Sequence, residues 1–419
     1  MEALEEGLRR VAQKWAAHTL TQSLNADHSD HRGPRLACPC GGTARYAGRR
    51  AKIFPSTLGD LELERAYYHC PQCGTGFCPR DQDLGLSPLA LSPGLARMIG
   101  LVGATVSFRE GSELLEQLAG VKVEVKQVER VAEALGREMA VDERQQTEAI
   151  DSGSLPPTMY LGLDGTAVPM RPSAVARRKG KQEDGTAKSR EAKLCTIWTA
   201  ESRDERGRPV RDLGSVTYSA AIESVACVDH EPRGSPFALR VWREALRRRF
   251  PEVPRRVVLG DGAEWIWNQA EEQFPGAQQI VDLYHAKENL CKLSKALYGE
   301  RPAAERWAAR RHQEIEDGKF PALLRALRHH LPQEEARKAL HYFQRNRERM
   351  RYPEFRTHGL CISSGVLEAG CKVAIGHRLK RSGMHWTETG ANAIIALRCY
   401  KLSGHFPDFW ERRTVARAA

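Results

Sequence analysis

Between Leu155 and His285 the chain repeats one signal, a short apolar run that stops abruptly at a polar turn. TMYLGLDG, RRVVLGDG and QQIVDLYH are runs of this kind, and two more strand candidates span Ala192 to Thr199 and Leu213 to Ala221. Such runs are short for buried helices, and their Asp-Gly ends are turn signals, so they read as strands. Between the later runs the spacing changes. PFALRVWREALRRRF sets Phe237, Val241 and Ala245 on one helical face, and EWIWNQAEEQF predicts a second helix. The order strand, strand, strand, helix, strand, helix, strand restricts this part of the chain to a mixed α/β sheet.

The 419 residues leave room for flanking domains. The expected organisation is an N-terminal helix over 1–33, a cysteine-rich module over 34–84, and a helical region over 85–150. The first part of the α/β core follows over 151–290. An all-helical stretch over 291–362, rich in Lys and Arg, precedes a last part of the core over 363–419. No fixed-period repeat and no long low-complexity tract interrupts this plan. The most apolar stretch, Leu89 to Phe108, is broken by Pro93 and Arg97, so no membrane span is expected. The opening MEALEEGLRRVAQKWAAHTL reads as a charged amphipathic helix rather than a signal peptide. These features predict a cytoplasmic protein in a reducing compartment.

Eleven cysteines is an odd number, and five of them lie between Cys38 and Cys78. In a reducing compartment that crowding predicts a metal site rather than disulfides. Cys38-Pro-Cys40-Gly-Gly and Cys70-Pro-Gln-Cys73-Gly are two thiol pairs, the form in which two knuckles offer four thiolates to zinc. The first pair is CxC rather than CxxC, which keeps Cys78 and His69 as reserve ligands. Ile53 to Tyr68 holds a Pro-Ser turn followed by the alternating LELERAYY, suited to a hairpin strand. The zinc ribbon is expected to be structural.

The net charge of +11 favours a polyanionic partner such as nucleic acid. SELLEQLAGVKVEVKQVERVAEALGREM reads as helix, Gly120 turn, helix, with Lys126 and Arg130 facing outward. That is the pattern of a helix-turn-helix with a recognition helix, or of an ordinary helical hairpin.

Three acidic residues stand out by their settings. Asp164 and Asp261 end apolar strands, where α/β sheets place their chemistry, and Glu368 lies in the first turns of a helix with a basic tail. Carboxylates converging at one sheet edge repel one another unless hard divalent cations such as Mg²⁺ sit between them. Singly, each also fits ordinary turn or helix-dipole chemistry. LGLDGT also approaches the DxDGT pattern of haloacid-dehalogenase phosphatases, but Gly162 stands where the nucleophile belongs.

Taken together, CPCGG with CPQCG, YLGLDGT, REAKLCTIWT, VVLGDGAEWIW, VDLYHAKENL, GVLEAGCK and RSGMHW resemble the insertion-sequence DDE transposases with an RNase H-like core. The chain is most similar to the Kra-type bacterial enzymes, relatives of the Mutator-like group, over nearly its whole length. The resemblance implies an RNase H-like mixed sheet interrupted by an all-helical insertion, behind the zinc ribbon and helical DNA-binding region. It implies Asp164, Asp261 and Glu368 as a triad for Mg²⁺ or Mn²⁺, with Asp282 and His285 shaping the site as a DxxH motif. Lys372, Arg378, Lys380 and Arg381 are expected to hold backbone phosphates, and Trp386 to stack on an unpaired base or else pack in the core. The implied partners are double-stranded transposon ends and target DNA, bound by a homodimer or larger assembly in a bacterial, nucleoid-associated setting. Two rivals stand beside this reading: a non-enzymatic DNA-binding regulator, and a metal-dependent nuclease that cuts without joining.

Overall fold

Strand pairing dominates the front of the protein, in a computed structural model that describes residues 1–146, 153–176, 178–180, 182, 185–226, 234–363 and 365–418. For residues 368 and 415–418 it describes the backbone alone. After helix α1 (Glu2–Ala26), strands β1 (Arg35–Ala37), β2 (Thr43–Ser56), β3 (Gly59–His69) and β4 (Gly76–Phe77) form an antiparallel sheet in that order. Most of β2 did not show in the pattern, because Arg45, Arg49, Arg50 and Lys52 hide its alternation. Where β2 and β3 meet their turn, Phe54, Leu61 and Leu63 pack with Ala17 and Leu86. Asn25 of α1 clasps β3, donating to the Glu62 carbonyl at 2.9 Å and accepting from the Glu64 amide at 2.9 Å. The rest of the amphipathic stripe of α1, Leu4, Leu8, Val11 and Trp15, is exposed.

Three helices follow: α2 (Pro93–Thr105), α3 (Phe108–Ala119) and α4 (Val125–Gln145). Ser107 and Glu110 close a capping box at the start of α3, and Gly120 ends it at φ 69°, a left-handed conformation glycine adopts without strain. Gln13 and Arg9 of α1 donate to the Ala119 and Leu118 carbonyls there, at 2.8 and 3.0 Å. The chain divides into two compact units, 1–139 with 404–419, and 140–403. The sequence plan placed a boundary near 150, outside the described residues, and assigned 404–419 to the core. The terminal helix Phe406–Ala418 instead packs with the first unit, where Arg413 pairs with Glu138 at 2.6 Å.

The second unit is built on a five-stranded mixed sheet. Its strands are β5 (Thr158–Pro169), β6 (Ser189–Trp198), β7 (Thr217–Ala221), β8 (Arg255–Gly260) and β9 (Gln278–Val281). The spatial order is β9, β8, β5, β6, β7. β9, β8 and β5 run parallel, whereas β6 is antiparallel to both β5 and β7. Every residue of β5 from Thr158 to Asp164 is buried, as expected of a central strand covered on both faces. Helices α5 (Pro236–Arg247) and α6 (Glu264–Gln273) add Phe237, Val241, Ile266 and Trp267 to the core. The all-helical stretch is present as α7 (Leu283–Tyr298), α8 (Pro302–Glu316), α9 (Phe320–Arg328), α10 (Glu334–Arg345) and α11 (Tyr352–Thr357). Helix α12 (Gly365–Gly370), a π-helical turn over Cys371–Gly376 and α13 (Glu388–Leu402) return the chain to the sheet. Among the described residues no helix is long and apolar enough to cross a membrane.

A buried charge network ties the end of α4 to α5 within this unit. Glu143 accepts from Arg240 at 2.5 Å and from the Ser219 hydroxyl, and Arg247 lies 3.6 Å away. Arg240 also grips Glu223 at 2.7 and 2.8 Å, and Arg247 pairs with Glu244. The two arginines hold the carboxyl of Glu143 below its ordinary range against the opposing effect of burial.

Candidate active site and cysteine cluster

Strand register brings three aspartates into one row. Leu163 of β5 pairs with Gly260 of β8, which pairs with Val281 of β9. Asp164, Asp261 and Asp282 each come next, on three parallel neighbours spaced about 4.8 Å apart. β8 and β9 end just before their aspartates, whereas β5 runs on to Pro169 beside β6, which corrects the expectation that Asp164 ends its strand. Paired positions in parallel strands share a face, so the row follows from register alone. Asp164 and Asp282 are buried and Asp261 is half-buried.

The three carboxylates are held differently. Asp164 accepts from the Gly165 amide at 2.7 Å and from the Cys371 thiol. Its carboxyl is pushed above the ordinary range mainly by burial, with the charge of Asp261 adding to it; the Gly165 amide, Cys371 and the His285 ring oppose the rise. Asp261 accepts from the Ala263 amide at 2.8 Å, closing the turn into α6. Asp282 caps α7 through the Tyr284 amide at 2.8 Å and receives the Ser363 hydroxyl at 3.4 Å. Its backbone amide donates to the Gly260 carbonyl at 2.9 Å, which continues the strand pairing one residue further. His285 lies in the first turn of α7, with Nδ1 3.7 Å from Glu288 and a buried Nε2 that has no partner among the described residues.

Helix α12 lies over β5 because the strand is glycine there. A Cβ on Gly162 would come within 2.7 Å of Leu367 and Thr196 and 2.9 Å of Trp198. A Cβ on Gly370 would come within 2.9 Å of Leu194. The Glu368 position therefore belongs to a helix seated two residues from Asp164, and Cys371, three positions later, bonds Asp164. The Glu368 side chain itself lies outside what the structure describes. The π-helical turn that follows leaves the Val373 carbonyl to Arg398, whose Nε donates to it at 2.8 Å.

The expected phosphate-binding residues separate into two groups. Lys372 is exposed, and Lys380 reaches the Thr166 hydroxyl on the strand that carries Asp164. Arg381 is half-buried. Arg378, by contrast, is fully buried, its guanidinium 5.3 Å above the Trp386 ring and one nitrogen 3.5 Å from the Met384 sulfur. Trp386 is buried too. Its indole donates to the Leu379 carbonyl at 3.0 Å, and its backbone extends the end of β5 through Pro169 and Arg171. This pair holds the basic loop against the sheet: Trp386 takes the core-packing role, one of the two weighed for it, and Arg378 lies buried against its ring rather than on the surface, which corrects the expectation of phosphate contact by Arg378. In the first unit, Lys126 is exposed but paired with Glu129 at 2.7 Å, while Arg130 is exposed.

The second candidate site is the cysteine cluster. The Sγ atoms of Cys38, Cys40, Cys70 and Cys73 all lie within 4.8 Å of one another. Cys38 and Cys73 are 3.7 Å apart, as are Cys40 and Cys70. Four sulfurs around zinc, each about 2.3 Å from the metal, stand about 3.8 Å apart along the edges of their tetrahedron. The four cysteines could therefore hold zinc. Thr75, through its hydroxyl and amide, lowers the Cys73 thiol to about 6, toward the thiolate that zinc requires. The reserve candidates are not in the cluster: Cys78 is buried elsewhere, and His69 is exposed on β3.

No protein-family model matches the chain, and no curated protein matches it. Among solved structures it is similar to a Drosophila P element transposase strand transfer complex, at 10% identity and a TM-score of 0.25. That similarity covers 78% of this chain and 83% of that one. A likeness at that score carries no argument about fold or function.

Sequence reasoning missed the residues that fix the Asp261 turn. Tyr342 of α10 donates its hydroxyl to the Asp261 carbonyl at 2.8 Å, and Asn346 reaches the Gly262 carbonyl at 3.4 Å. Gly262 sits at φ 97°, and a Cβ there would meet the Tyr342 ring at 2.5 Å. The glycine was a visible signal of a tight turn, but nothing in the chain pointed to a tyrosine 80 positions away that would pack on it.

Proposed function

We propose that the chain is a transposase of the insertion-sequence DDE kind, which cuts transposon ends and joins them to target DNA. The observation that carries the reading is the register row Asp164, Asp261, Asp282 across three parallel strands, at the level where two of them end, with the Glu368-bearing helix seated on the strand of Asp164. Three strands in antiparallel succession, with two parallel strands added on the far side of the first, also support an RNase H-like core. The helical stretch between Asp282 and Glu368 corresponds to the insertion that such enzymes carry.

In this reading Asp164, Asp261 and Glu368 hold divalent cations, Mg²⁺ or Mn²⁺. The donors fit, because the charge of Asp261 adds to the cost of ionising the buried Asp164, a cost that a hard cation relieves. Bound there, the cations supply Lewis-acid stabilisation of the scissile phosphate and a more acidic attacking hydroxyl. The residues of the chain do the positioning. Asp282 orients α7 and with it His285, while Tyr342 and Asn346 hold the Asp261 turn. Lys380, at the Thr166 hydroxyl, lies where a backbone phosphate beside Asp164 would need countercharge, and Lys372 is exposed on the turn that follows Cys371.

The chemistry runs in two balanced displacements. Water attacks the phosphodiester at the transposon end, one P–O bond forms as another breaks, and a 3′-hydroxyl is released. That hydroxyl then attacks a target phosphodiester, forming the new strand and releasing a target 3′-hydroxyl. No covalent bond to the protein is needed. Lys126 and Arg130 contribute DNA binding, zinc on the four cysteines is structural, and two ends cut together call for a homodimer or larger assembly.

Asp261→Asn tests the reading. It is expected to bind end-containing duplex as the wild type does and to lose Mg²⁺-dependent nicking by at least about a hundredfold, the several kcal/mol a metal ligand supplies. Retained cleavage would remove the catalytic reading and leave a DNA-binding regulator. Wild-type cleavage with no joining to a target plasmid would leave a nuclease.

A further inference from the structure

The cysteine module carries a charge arrangement that neither its zinc site nor the catalytic row explains. Its arginines fall into two classes. Arg32, Arg49, Arg65 and Arg80 each pair with a carboxylate, at 2.8 Å to Asp83, 3.0 Å to Asp30, 2.6 Å to Asp81 and 3.2 Å to Asp30. Arg35, Arg45 and Arg50, with Lys52, have no acidic partner among the described residues, and all four are exposed.

Register places these four cations on one face of the four-stranded sheet. Arg35 pairs directly with Arg45, and Arg45 with His69, so the three share a face across β1, β2 and β3. Past the irregularity between Tyr46 and Arg49, Arg50 pairs with Arg65 and Lys52 with Leu63, which lie on that same side of β3. The acidic residues of β3, Glu62 and Glu64, alternate onto the opposite face. Like charges directly opposite one another oppose strand pairing. The four cations thus line the β1 and β2 side of this face, while on its β3 side Leu61 and Leu63 pack against Ala17 and Leu86 and Arg65 is held by Asp81.

We propose that this face is a phosphate-binding surface for duplex DNA. The cations from Arg45 to Lys52 run along one strand for roughly 20 Å at about 3.3 Å per residue. Duplex DNA rises 3.4 Å or so of axis per base pair, so a row of this length spans about six base pairs, enough for four cations to meet phosphates bordering one groove. A single strand would instead need open aromatic faces on which to stack its bases. The aromatic ring here is closed: the Arg50 guanidinium lies 3.5 Å over Tyr67, and on β4 a Cβ at Gly76 would come within 1.9 Å of the Tyr67 hydroxyl. Tyr67 thus supports Arg50 rather than offering itself to a base. The surface goes beyond the catalytic reading and stands without it.

The test uses the full chain with Arg35, Arg45, Arg50 and Lys52 all changed to Gln, titrated onto a fluorescent duplex across a range of KCl concentrations. Loss of four phosphate contacts should flatten the slope of log affinity against log salt by roughly three to four and weaken binding at least about tenfold. Thermal unfolding and zinc content should match the wild type, since the change removes repulsion. An Arg35→Lys/Arg45→Lys variant, which keeps the charge, should keep the slope. If the quadruple variant misfolds, Arg35→Gln/Arg45→Gln decides the matter, since it should flatten the slope by roughly two and an unchanged slope would overturn the proposal. Asp261→Asn should also bind with the wild-type slope, which separates this surface from the catalytic row. Unchanged slope and affinity in the Gln variant would overturn the proposal, as would a loss seen with single-stranded RNA or DNA but not with duplex.

Discussion

Removing Glu143 tests whether the charge network between α4 and α5 stabilises the second unit. Glu143 is 7% exposed, and its partners Arg240 and Arg247 are 4% and 6% exposed. Breaking a buried pair by deleting one member typically costs about 3–5 kcal/mol, because the other charge is left without compensation. Here Arg240 keeps Glu223 and Arg247 keeps Glu244, so Glu143→Ala should fall near the lower end, about 3 kcal/mol. Urea unfolding followed by tryptophan fluorescence reads the change, since Trp198, Trp265 and Trp267 report on this unit. With a slope of about 3 kcal/mol per molar, the midpoint should move down by about 1 M. The pH dependence has a definite sign. The folded carboxyl of Glu143 lies below its ordinary value of 4.5. Its contribution is therefore complete above that value and disappears as pH falls through the lower, folded one. The gap between wild type and variant should close in acid. A midpoint unchanged at neutral pH, or a gap that stays constant into acid, would refute the argument.

Five further outcomes follow from the geometry. Cys73→Ser should lower bound zinc, measured by chromogenic chelator after denaturation, from one equivalent toward none and expose the β1–β4 module to protease. Tyr342→Phe removes one hydrogen bond to the Asp261 carbonyl and should cost about 1 kcal/mol in thermal unfolding. Gly262→Ala, strained at positive φ and crowded by the Tyr342 ring, should cost more, about 2–3 kcal/mol, and reduce cleavage further than Tyr342→Phe does. Gly162→Ala should lift α12 from β5, at about 1–3 kcal/mol by denaturant midpoint, and depress cleavage without changing duplex affinity. Trp386→Ala should lose about 3 kcal/mol or more of stability, as expected of a core side chain; a loss of DNA affinity with unchanged stability would restore the stacking role.

The sequence by itself determined the mixed sheet, the helical stretch after His285 and the four clustered thiols. Those are local matters: apolar runs of strand length, helical periodicity and Cys-Gly turns depend on neighbours a few positions apart. It also marked Asp164 and Asp261, because an apolar run that meets Asp-Gly is visible wherever it occurs, although β5 runs past Asp164 to Pro169; Asp282 was marked only through the family resemblance. Only the tertiary structure decided that these three share a register row, since alignment between strands is set by packing across some hundred residues. The same holds for Trp386 and Arg378, whose residue types suit a nucleic-acid surface but whose environment buries them against each other. Tyr342 and the segregation of cations on the cysteine sheet were likewise illegible. One depends on a helix docking onto a distant turn, and the other on which residues face each other across strands, neither of which chain order encodes locally.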